Sequence, residues 1–294
     1  MPYFRHSAEM NILKISLYTI GLFVILLFFY KSKTIIRQFV KNYALLIGLA
    51  QSDLKTKYAG SYLGMFWAFT QPILTTFIYW FVFQIGFKSS PVEDFPFILW
   101  LITGLVPWFF FSEAILSGTG CMTEYGYLVK KVMFQVDILP SVKITASLFV
   151  HIVFVLFVFC FYLLYGIRFN VYFLQTIYYS FCLLVLCLGI TYITATFNVF
   201  IKDTIQVVSV LMQMFFWMTP IVWDFSIMPP VVQTILKMNP LYYIVTGYRD
   251  SLINQVWFWE KEEQTLIFWL VAAFLFYMGT KLFRKFKPHF ADVL

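Results

Sequence analysis

The chain has 294 residues, of which 61% are hydrophobic and only 12% are charged, whereas soluble domains carry about 25% charged residues. A soluble globular domain is therefore excluded, and lipid is the main solvent of the folded chain. The formal net charge of +7 indicates contact with the anionic headgroups of an inner membrane leaflet, not with nucleic acid.

Seven apolar stretches are long enough to cross a bilayer. A hydrocarbon core of about 30 Å takes roughly 20 apolar residues per helix, because each backbone N–H and C=O must be paired within its own segment. The stretches predict an all-α integral membrane protein with spans at residues 12–30, 66–87, 97–117, 144–165, 176–199, 205–222 and 265–282. The first stretch has no small-residue cleavage site after it, so we predict a retained anchor and not a signal peptide.

The basic residues predict how these spans are oriented. Lys and Arg accumulate in loops that stay on the cytoplasmic side of a membrane. If residues 31–65 face the cytoplasm, 14 of the 21 Lys and Arg residues fall on that side. We therefore predict a multi-pass protein with its N-terminus outside and its C-terminus in the cytoplasm.

A polar segment precedes the second span. Apolar residues recur at helical spacing within residues 35–47, with cations and amides between them, which predicts a helix lying in the membrane interface. Further along, Asp53 and Lys57 are four residues apart, and we predict that they pair on one helical face.

Five blocks of sequence resemble the membrane domain of ABC-2 type exporters of O-antigen, capsular polysaccharide and wall teichoic acid. They occur in the family's order: Asp53 to Trp67, Glu124 to Pro140, Lys202-Asp203, Thr219 to Trp223, and Asn239-Pro240-Leu241-Tyr242-Tyr243 followed by Tyr248-Arg249-Asp250. One departure is Gln135, which follows Phe134 at a position where the family usually has proline.

The resemblance implies a six-helix ABC-2 (type V ABC exporter) transmembrane domain plus an extra N-terminal transmembrane helix. It also implies cytoplasmic interfacial and coupling helices, and outer helices that re-enter the membrane. The predicted parts are an accessory helix at 1–31, an interfacial helix and turn at 32–65, the transmembrane domain at 66–287, a coupling helix near 125–136, a re-entrant segment near 224–263, and a cytoplasmic tail at 288–294.

The same resemblance implies the transmembrane (permease) subunit of an ABC exporter that moves a lipid-linked cell-surface polysaccharide across the bacterial plasma membrane. The sequence has no G-x-x-x-x-G-K-[ST] motif, so a separate subunit would bind ATP and Mg²⁺. We predict no cofactor, metal or catalytic residue in this chain, and no enzyme activity. The expected partners are two nucleotide-binding ATPase subunits, a second copy of this chain, membrane lipids and a glycan carried on a polyprenyl diphosphate lipid.

Two sets of candidate site residues follow from this resemblance. Flat aromatic side chains suit the faces of sugar rings, and aromatic residues make up 22% of the chain. The substrate path is expected to be lined near its outer mouth by Trp108, Phe109, Phe110, Phe111, Trp217, Trp223, Tyr242 and Tyr243. Contacts that couple the chain to the ATPase are expected from Asp53, Lys55, Lys57, Tyr58, Glu124, Tyr125, Tyr127, Lys130 and Lys131.

Glu113 lies within a predicted span, where a carboxylate costs about 2.5–3.5 kcal/mol unless it faces protein or water. We predict either a contact with the substrate in the path or a contact between helices. Two other functions stay open at this point: an ABC-2 exporter of drugs or small lipids, and an integral membrane enzyme that modifies glycans. The enzyme would need a cluster of acid, base or metal-binding groups, for which Glu113 and His151 give little support.

Overall fold

The computed structural model describes residues 41–88, 95–130 and 135–294, and this part of the chain is helical without strands. The predicted anchor at 12–30, the first part of the amphipathic run at 35–47, and Lys131 lie outside the described residues. The helices are α1 (Tyr43–Lys57), α2 (Trp67–Trp80), α3 (Phe97–Glu124), α4 (Gly126–Val129), α5 (Leu139–Leu164), α6 (Gln175–Phe200), α7 (Thr204–Met218), α8 (Pro230–Lys237), α9 (Pro240–Arg249), α10 (Glu262–Phe286) and α11 (Phe290–Val293).

Short 3₁₀ and π-helical turns extend several of these helices into full spans. In the described residues, five segments are long and apolar enough to cross a membrane: Gly64–Gly86, Phe97–Glu124, Val136–Leu164, Val171–Phe200 and Phe258–Val293. The shorter apolar helix α7 lies between the fourth and fifth of them. The prediction of an all-α membrane protein with a six-helix core is confirmed.

Two predicted spans are shorter than the helices that the structure shows. The stretch at 97–117 corresponds to a helix that runs to Glu124, and the stretch at 144–165 to helical structure that begins at Val136. Polar residues at these ends have partners; the Thr119 hydroxyl, for example, donates to a backbone carbonyl four residues earlier at 2.7 Å. A hydropathy criterion stops at such residues, whereas a helix continues when its polar groups are paired.

Close packing of α6 on α10 depends on two facing glycines. A Cβ atom added at Gly279 would lie 2.5 Å from the Gly189 carbonyl oxygen, and one added at Gly189 would lie 2.8 Å from the Phe276 nitrogen. Backbones of membrane helices approach this closely where small residues face each other. The most buried span is α3, which packs against α5, α6, α7 and α9 and forms the centre of the core.

The alternating helices give the molecule two distinct ends. At one end, Lys287 Nζ lies 2.6 Å from Asp137 Oδ2, so the beginning of α5 is beside the end of α10. This end also holds Lys143, and we call it the Lys143 end. The segment 219–261 joins α7 to α10 at the opposite end, which we call the Arg249 end.

The segment between α7 and α10 is a series of short helices. Pro230 and Pro240 begin α8 and α9, because the fixed φ angle and missing N–H of proline are tolerated at the first helical position. A π-helical turn, Asp250–Asn254, and a 3₁₀ turn, Phe258–Lys261, then lead into α10. Re-entry of these helices into the bilayer stays a prediction.

Candidate functional site

A cluster of charged and hydroxyl groups joins α1, α3 and α5 at the Lys143 end. Lys143 Nζ lies 2.6 Å from Asp53 Oδ1 and 2.5 Å from Glu124 Oε2. The Tyr125 hydroxyl donates to the same Asp53 oxygen at 2.7 Å, and Lys143 Nζ lies 5.0 Å from the centre of the Tyr125 ring. We call these four residues the ionic junction.

The lysine at the centre of the ionic junction is buried, with only 7% of its side chain exposed. Removing one partner of a buried ion pair costs about 3–5 kcal/mol, because the remaining charge is left without compensation. Burial raises the pKa of Tyr125, and the hydrogen bond to Asp53 raises it further, so the phenol stays a donor at neutral pH. One cation on α5 therefore connects α1 to the end of α3.

Lys57 pairs with a different residue from the one that the sequence suggested. The prediction that Asp53 and Lys57 pair with each other is wrong, since Lys57 Nζ lies 2.5 Å from Glu113 Oε1 and Asp53 faces Lys143. Burial alone would lower the pKa of Lys57, but the Glu113 carboxylate outweighs this effect and raises it. The two side chains are 43% and 45% exposed, so water competes with the pair and its net strength is low.

The Lys57–Glu113 pair means that Glu113 makes a contact between helices, one of the two roles predicted for it. A role in contacting substrate stays a prediction. The carboxylate projects from the middle of α3, and the partner lysine comes from the last residue of α1. This exposed pair is thus a second, weaker link between α1 and α3.

A groove of about 930 Å³ opens beside the Lys57–Glu113 pair, between α2, α3 and α5. Apolar side chains form much of its wall, and we call it the polar groove for the charged, hydroxyl and amide groups that also line it. Its lining includes hydroxyl and amide side chains from three helices, namely Thr70, Gln71, Thr75, Ser112, Ser117 and Ser147. Further from the Lys143 end, the same three helices enclose an apolar slot of about 180 Å³. The predicted path residue Phe109 lines both cavities.

Other aromatic residues predicted for the substrate path form two clusters. In the first, the centre of the Trp108 ring lies 5.2 Å from that of Phe216 and 6.0 Å from that of Phe111. Trp217 is exposed next to Phe216, and Trp223 Nε1 donates to the Trp217 carbonyl at 3.1 Å. This cluster connects the middle of α3 with the end of α7.

The second aromatic cluster lies at the Arg249 end. The Tyr243 hydroxyl is 3.1 Å from the Tyr178 hydroxyl, and the Tyr243 ring stacks on Phe268 at 4.9 Å. Tyr242 is buried against Phe225. The remaining predicted path residue is Phe110. Its ring lies in the core, and its centre is 4.8 Å from that of the His151 ring.

The predicted coupling residues outside the ionic junction lie near the Lys143 end. Lys55, Tyr127 and Lys130 are exposed, and Tyr58 is half-buried next to Lys57. Helix α4 falls within the range predicted for a coupling helix. Its docking onto an ATPase subunit stays a prediction.

At the Arg249 end, a buried arginine binds the chain where α7 stops. Arg249 Nη1 donates to the Pro220 carbonyl at 2.6 Å, and Nη2 donates to the Ile221 carbonyl at 2.7 Å. The guanidinium carbon lies 3.6 Å from the centre of the Trp100 ring. Carbonyl groups and a ring face thus stabilise this cation, as expected for a group near the negative end of a helix dipole.

Asn239 also contacts the chain at the point where α7 ends. Its Nδ2 donates to Thr219 Oγ1 at 3.0 Å, and its Oδ1 accepts from the Leu241 backbone nitrogen at 2.9 Å, which caps α9. The arrangement fixes α9 against the end of α7. We call the set the carbonyl latch; it consists of Thr219, Pro220, Ile221, Asn239 and Arg249.

Sequence reasoning did not single out Lys143 or Arg249 as site residues. In the sequence, Lys143 is one of the 14 basic residues predicted on the cytoplasmic side, and Arg249 is part of a family motif. A signal was available for both, because an ionisable residue inside or next to an apolar helix needs a partner. The identity of that partner was not available from local sequence.

Comparisons with known proteins agree with this architecture. A family model described as "ABC-2 type transporter" matches residues 44–253. An O-antigen export system permease protein RfbA from Klebsiella pneumoniae is 28% identical over 253 residues, which is 85% of this chain and 95% of that protein. A protein of the same name from Myxococcus xanthus is 26% identical over 271 residues, which is 88% of this chain and 98% of that protein. Since the family match covers more than half of the sequence and includes α1 through α9, the chain belongs to the ABC-2 type transporter family.

Proposed function

We propose that this chain is the transmembrane subunit of an ABC exporter for a lipid-linked cell-surface polysaccharide of the O-antigen, capsule or teichoic acid type. Its family makes it a transport permease, and relatives named as O-antigen export permeases support the class of polymer. The observation that carries the proposal is the ionic junction, which connects exposed segments at one end of the molecule to two spans.

The ionic junction suits a chain that is moved by a partner. A displacement of α1 would be transmitted to α5 through the ion pair of Asp53 and Lys143. A displacement of the α3–α4 turn would be transmitted to the same lysine through Glu124. We propose that two ATPase subunits, which bind ATP and Mg²⁺, press on this end through contacts that include Lys55 and Lys130. Closure of the ATPase pair on ATP would then shift three helices together.

A second copy of the chain would complete the conduit. The polar groove of about 930 Å³ is lined within one copy by α1, α2, α3 and α5. Large apolar side chains are exposed along α2 and α7, including Phe77, Ile78, Val210 and Trp217, and such faces in membrane proteins are covered by lipid or by another subunit. We propose a two-fold dimer with the path between the copies.

The Lys143 end is proposed to face the cytoplasm in the bacterial plasma membrane. Lys55, Lys130, Lys202 and Lys285 are all exposed there, as the positive-inside rule requires of cytoplasmic loops. The carbonyl latch and the short helices α8 and α9 would then lie at the outer face, with the C-terminus inside.

Deletion of the gene in its own host tests this proposal. We expect surface polysaccharide to be lost and lipid-linked glycan to accumulate inside, because synthesis continues without export. The wild-type chain should restore export, the Lys143→Met variant should not, and Lys202→Met, which removes an exposed cation, should serve as the matched control. Normal surface glycan together with a new drug sensitivity would contradict the proposal.

A further inference from the structure

The polar groove and the apolar slot together have the form of an amphiphile site, and we propose that they are the first docking site of the lipid-linked glycan. The phosphate and first sugar would occupy the groove, and the hydrocarbon tail would occupy the slot. This inference rests on the proposed function and adds where the substrate binds before it is moved.

The two cavities adjoin each other and differ in charge. Val106, Phe109 and Phe154 line both of them, and among the described residues charged side chains line the groove but not the slot. On α2 the slot runs from Ile73 to Trp80, which corresponds to about 10 Å of helix. The slot would therefore hold the part of the tail nearest the headgroup, and the rest would lie in lipid.

The direction of this division matches a lipid of the leaflet at the Lys143 end. The groove begins next to Asp53, Lys57 and Glu124 at that end, whereas the slot reaches Phe161 far along α5. An amphiphile in that leaflet has its headgroup at the membrane surface and its tail directed toward the bilayer centre. It can enter sideways without turning over.

The charged groups of the groove suit a sugar phosphate better than a simple anion. The lining carries Lys57 and Lys143 together with the carboxylates of Asp53, Glu113 and Glu124, so it offers partners both to a phosphate and to hydroxyl donors. Lysine ammonium groups bind phosphate, and carboxylates accept hydrogen bonds from hydroxyl groups such as those of a sugar.

Lys57 is the cation that is free to change partner. The carboxylates of the ionic junction hold Lys143, whereas Lys57 and Glu113 are both close to half exposed. A phosphate that takes Lys57 leaves Glu113 to accept sugar hydroxyls. This exchange breaks the Lys57–Glu113 ion pair between α1 and α3. Binding of the substrate would therefore change the contacts of α1 next to the ionic junction.

Photo-crosslinking of the full chain in nanodiscs tests the site directly. The probe is a polyprenyl diphosphate N-acetylglucosamine with a diazirine in the first isoprene units of its tail, and labelled residues are mapped by mass spectrometry. We expect labels on slot residues such as Phe77 and Phe157. Ser112→Trp, which fills the groove, should lower labelling about tenfold or more, equivalent to the loss of about 1.4 kcal/mol of binding.

Two further variants keep the test independent of folding. Cys160→Trp places an indole on the exposed side of α5, outside both cavities, and should leave labelling unchanged. Lys57→Gln keeps the groove open but removes the phosphate partner, and should lower labelling by the full probe about tenfold. It should not affect a tail-only probe.

The possible results distinguish a failure of the proposed docking site from a failure of the proposed transport function. Labels confined to α7 or other surfaces, with no effect of Ser112→Trp, would overturn the groove and leave the exporter proposal intact. Equal labelling of the slot by a diazirine phosphatidylglycerol would also overturn it, because the slot would then hold bulk lipid. No labelling above that of the tail-only probe would count against both proposals.

Discussion

The two ends of this molecule stabilise a buried cation by different means. At the ionic junction, Lys143 is held by carboxylates that belong to two other segments; at the carbonyl latch, Arg249 is held by backbone carbonyls and the ring of Trp100. Side-chain carboxylates can separate and pair again, whereas carbonyls move only with the chain itself. The Lys143 end is therefore suited to coupling separate segments, and the Arg249 end to fixing one broken helix.

The largest effect is expected from Arg249→Met. It leaves two buried carbonyls without donors, at about 1–3 kcal/mol each, and removes the contact with Trp100, so we expect a total loss of roughly 3–5 kcal/mol. Thermal unfolding in detergent, followed by size-exclusion elution, measures this. Lys237→Met removes an exposed cation at the same end and is the control. Equal melting of the two variants would show that the latch carries little stability.

A second large effect is expected from Lys143→Met, because Asp53, with 13% of its side chain exposed, is left without its cation at a cost of roughly 3 kcal/mol. Adding Asp53→Asn should recover most of the melting temperature, while export should stay lost. This recovery sharpens the comparison, since the backbone partners of Arg249 permit no such compensation. A double variant as unstable as Lys143→Met would argue against a simple ion pair.

A smaller difference in stability is expected between alanine substitutions at two glycines. A methyl group at Gly247 in α9 would overlap the ring of the buried residue Tyr179, whereas one at Gly120 in α3 would lie 3.1 Å from Glu124 Oε1 and 3.5 Å from Ile205 Cδ1, which are both the ends of side chains. We expect Gly247→Ala to lose about 1–3 kcal/mol and Gly120→Ala to change stability by less than about 1 kcal/mol. If both variants melt alike, the Arg249 end is not the more rigid one.

The smallest effect on stability is expected from Lys57→Gln, which removes an exposed pair worth about 0.2–1 kcal/mol. The raised pKa of Lys57 means that the contribution of the pair is complete below the unfolded value of 10.5 and is lost only as the pH rises through the folded value. Melting curves between pH 6 and pH 9 should therefore show no difference in slope between wild type and variant. A pH-dependent difference in that range would mean that another group titrates with the pair.

Helix positions were predictable from the sequence, because hydropathy and helix length are local properties. Five core spans and the shorter helix α7 appear at the expected places. Some spans extend beyond the prediction where polar groups are paired, as between Val136 and Lys143, whereas the predicted span at 205–222 is too long, because α7 ends at Met218, before Pro220. These features need no knowledge of distant residues.

The site was less predictable, because its contacts join residues far apart in the chain. Asp53 and Lys143 are 90 positions apart, and Lys57 and Glu113 are 56 apart. Helical spacing therefore pointed to the wrong partner for Lys57. Asp53, Lys57, Glu113 and Glu124 are singled out from the sequence and Lys143 is not, because the pairing depends on how α1 packs against α3 and α5.

The proposed function makes this chain a conduit that is driven by a separate ATPase at the Lys143 end. Reconstitution in proteoliposomes, with and without the partner ATPase, tests it most directly, with transfer of a polyprenyl diphosphate glycan followed by its exposure to an added glycosidase. We predict transfer only when both proteins and ATP are present, and ATP hydrolysis without transfer in the Lys143→Met complex. Transfer by the chain alone, at a rate independent of ATP, would contradict the account.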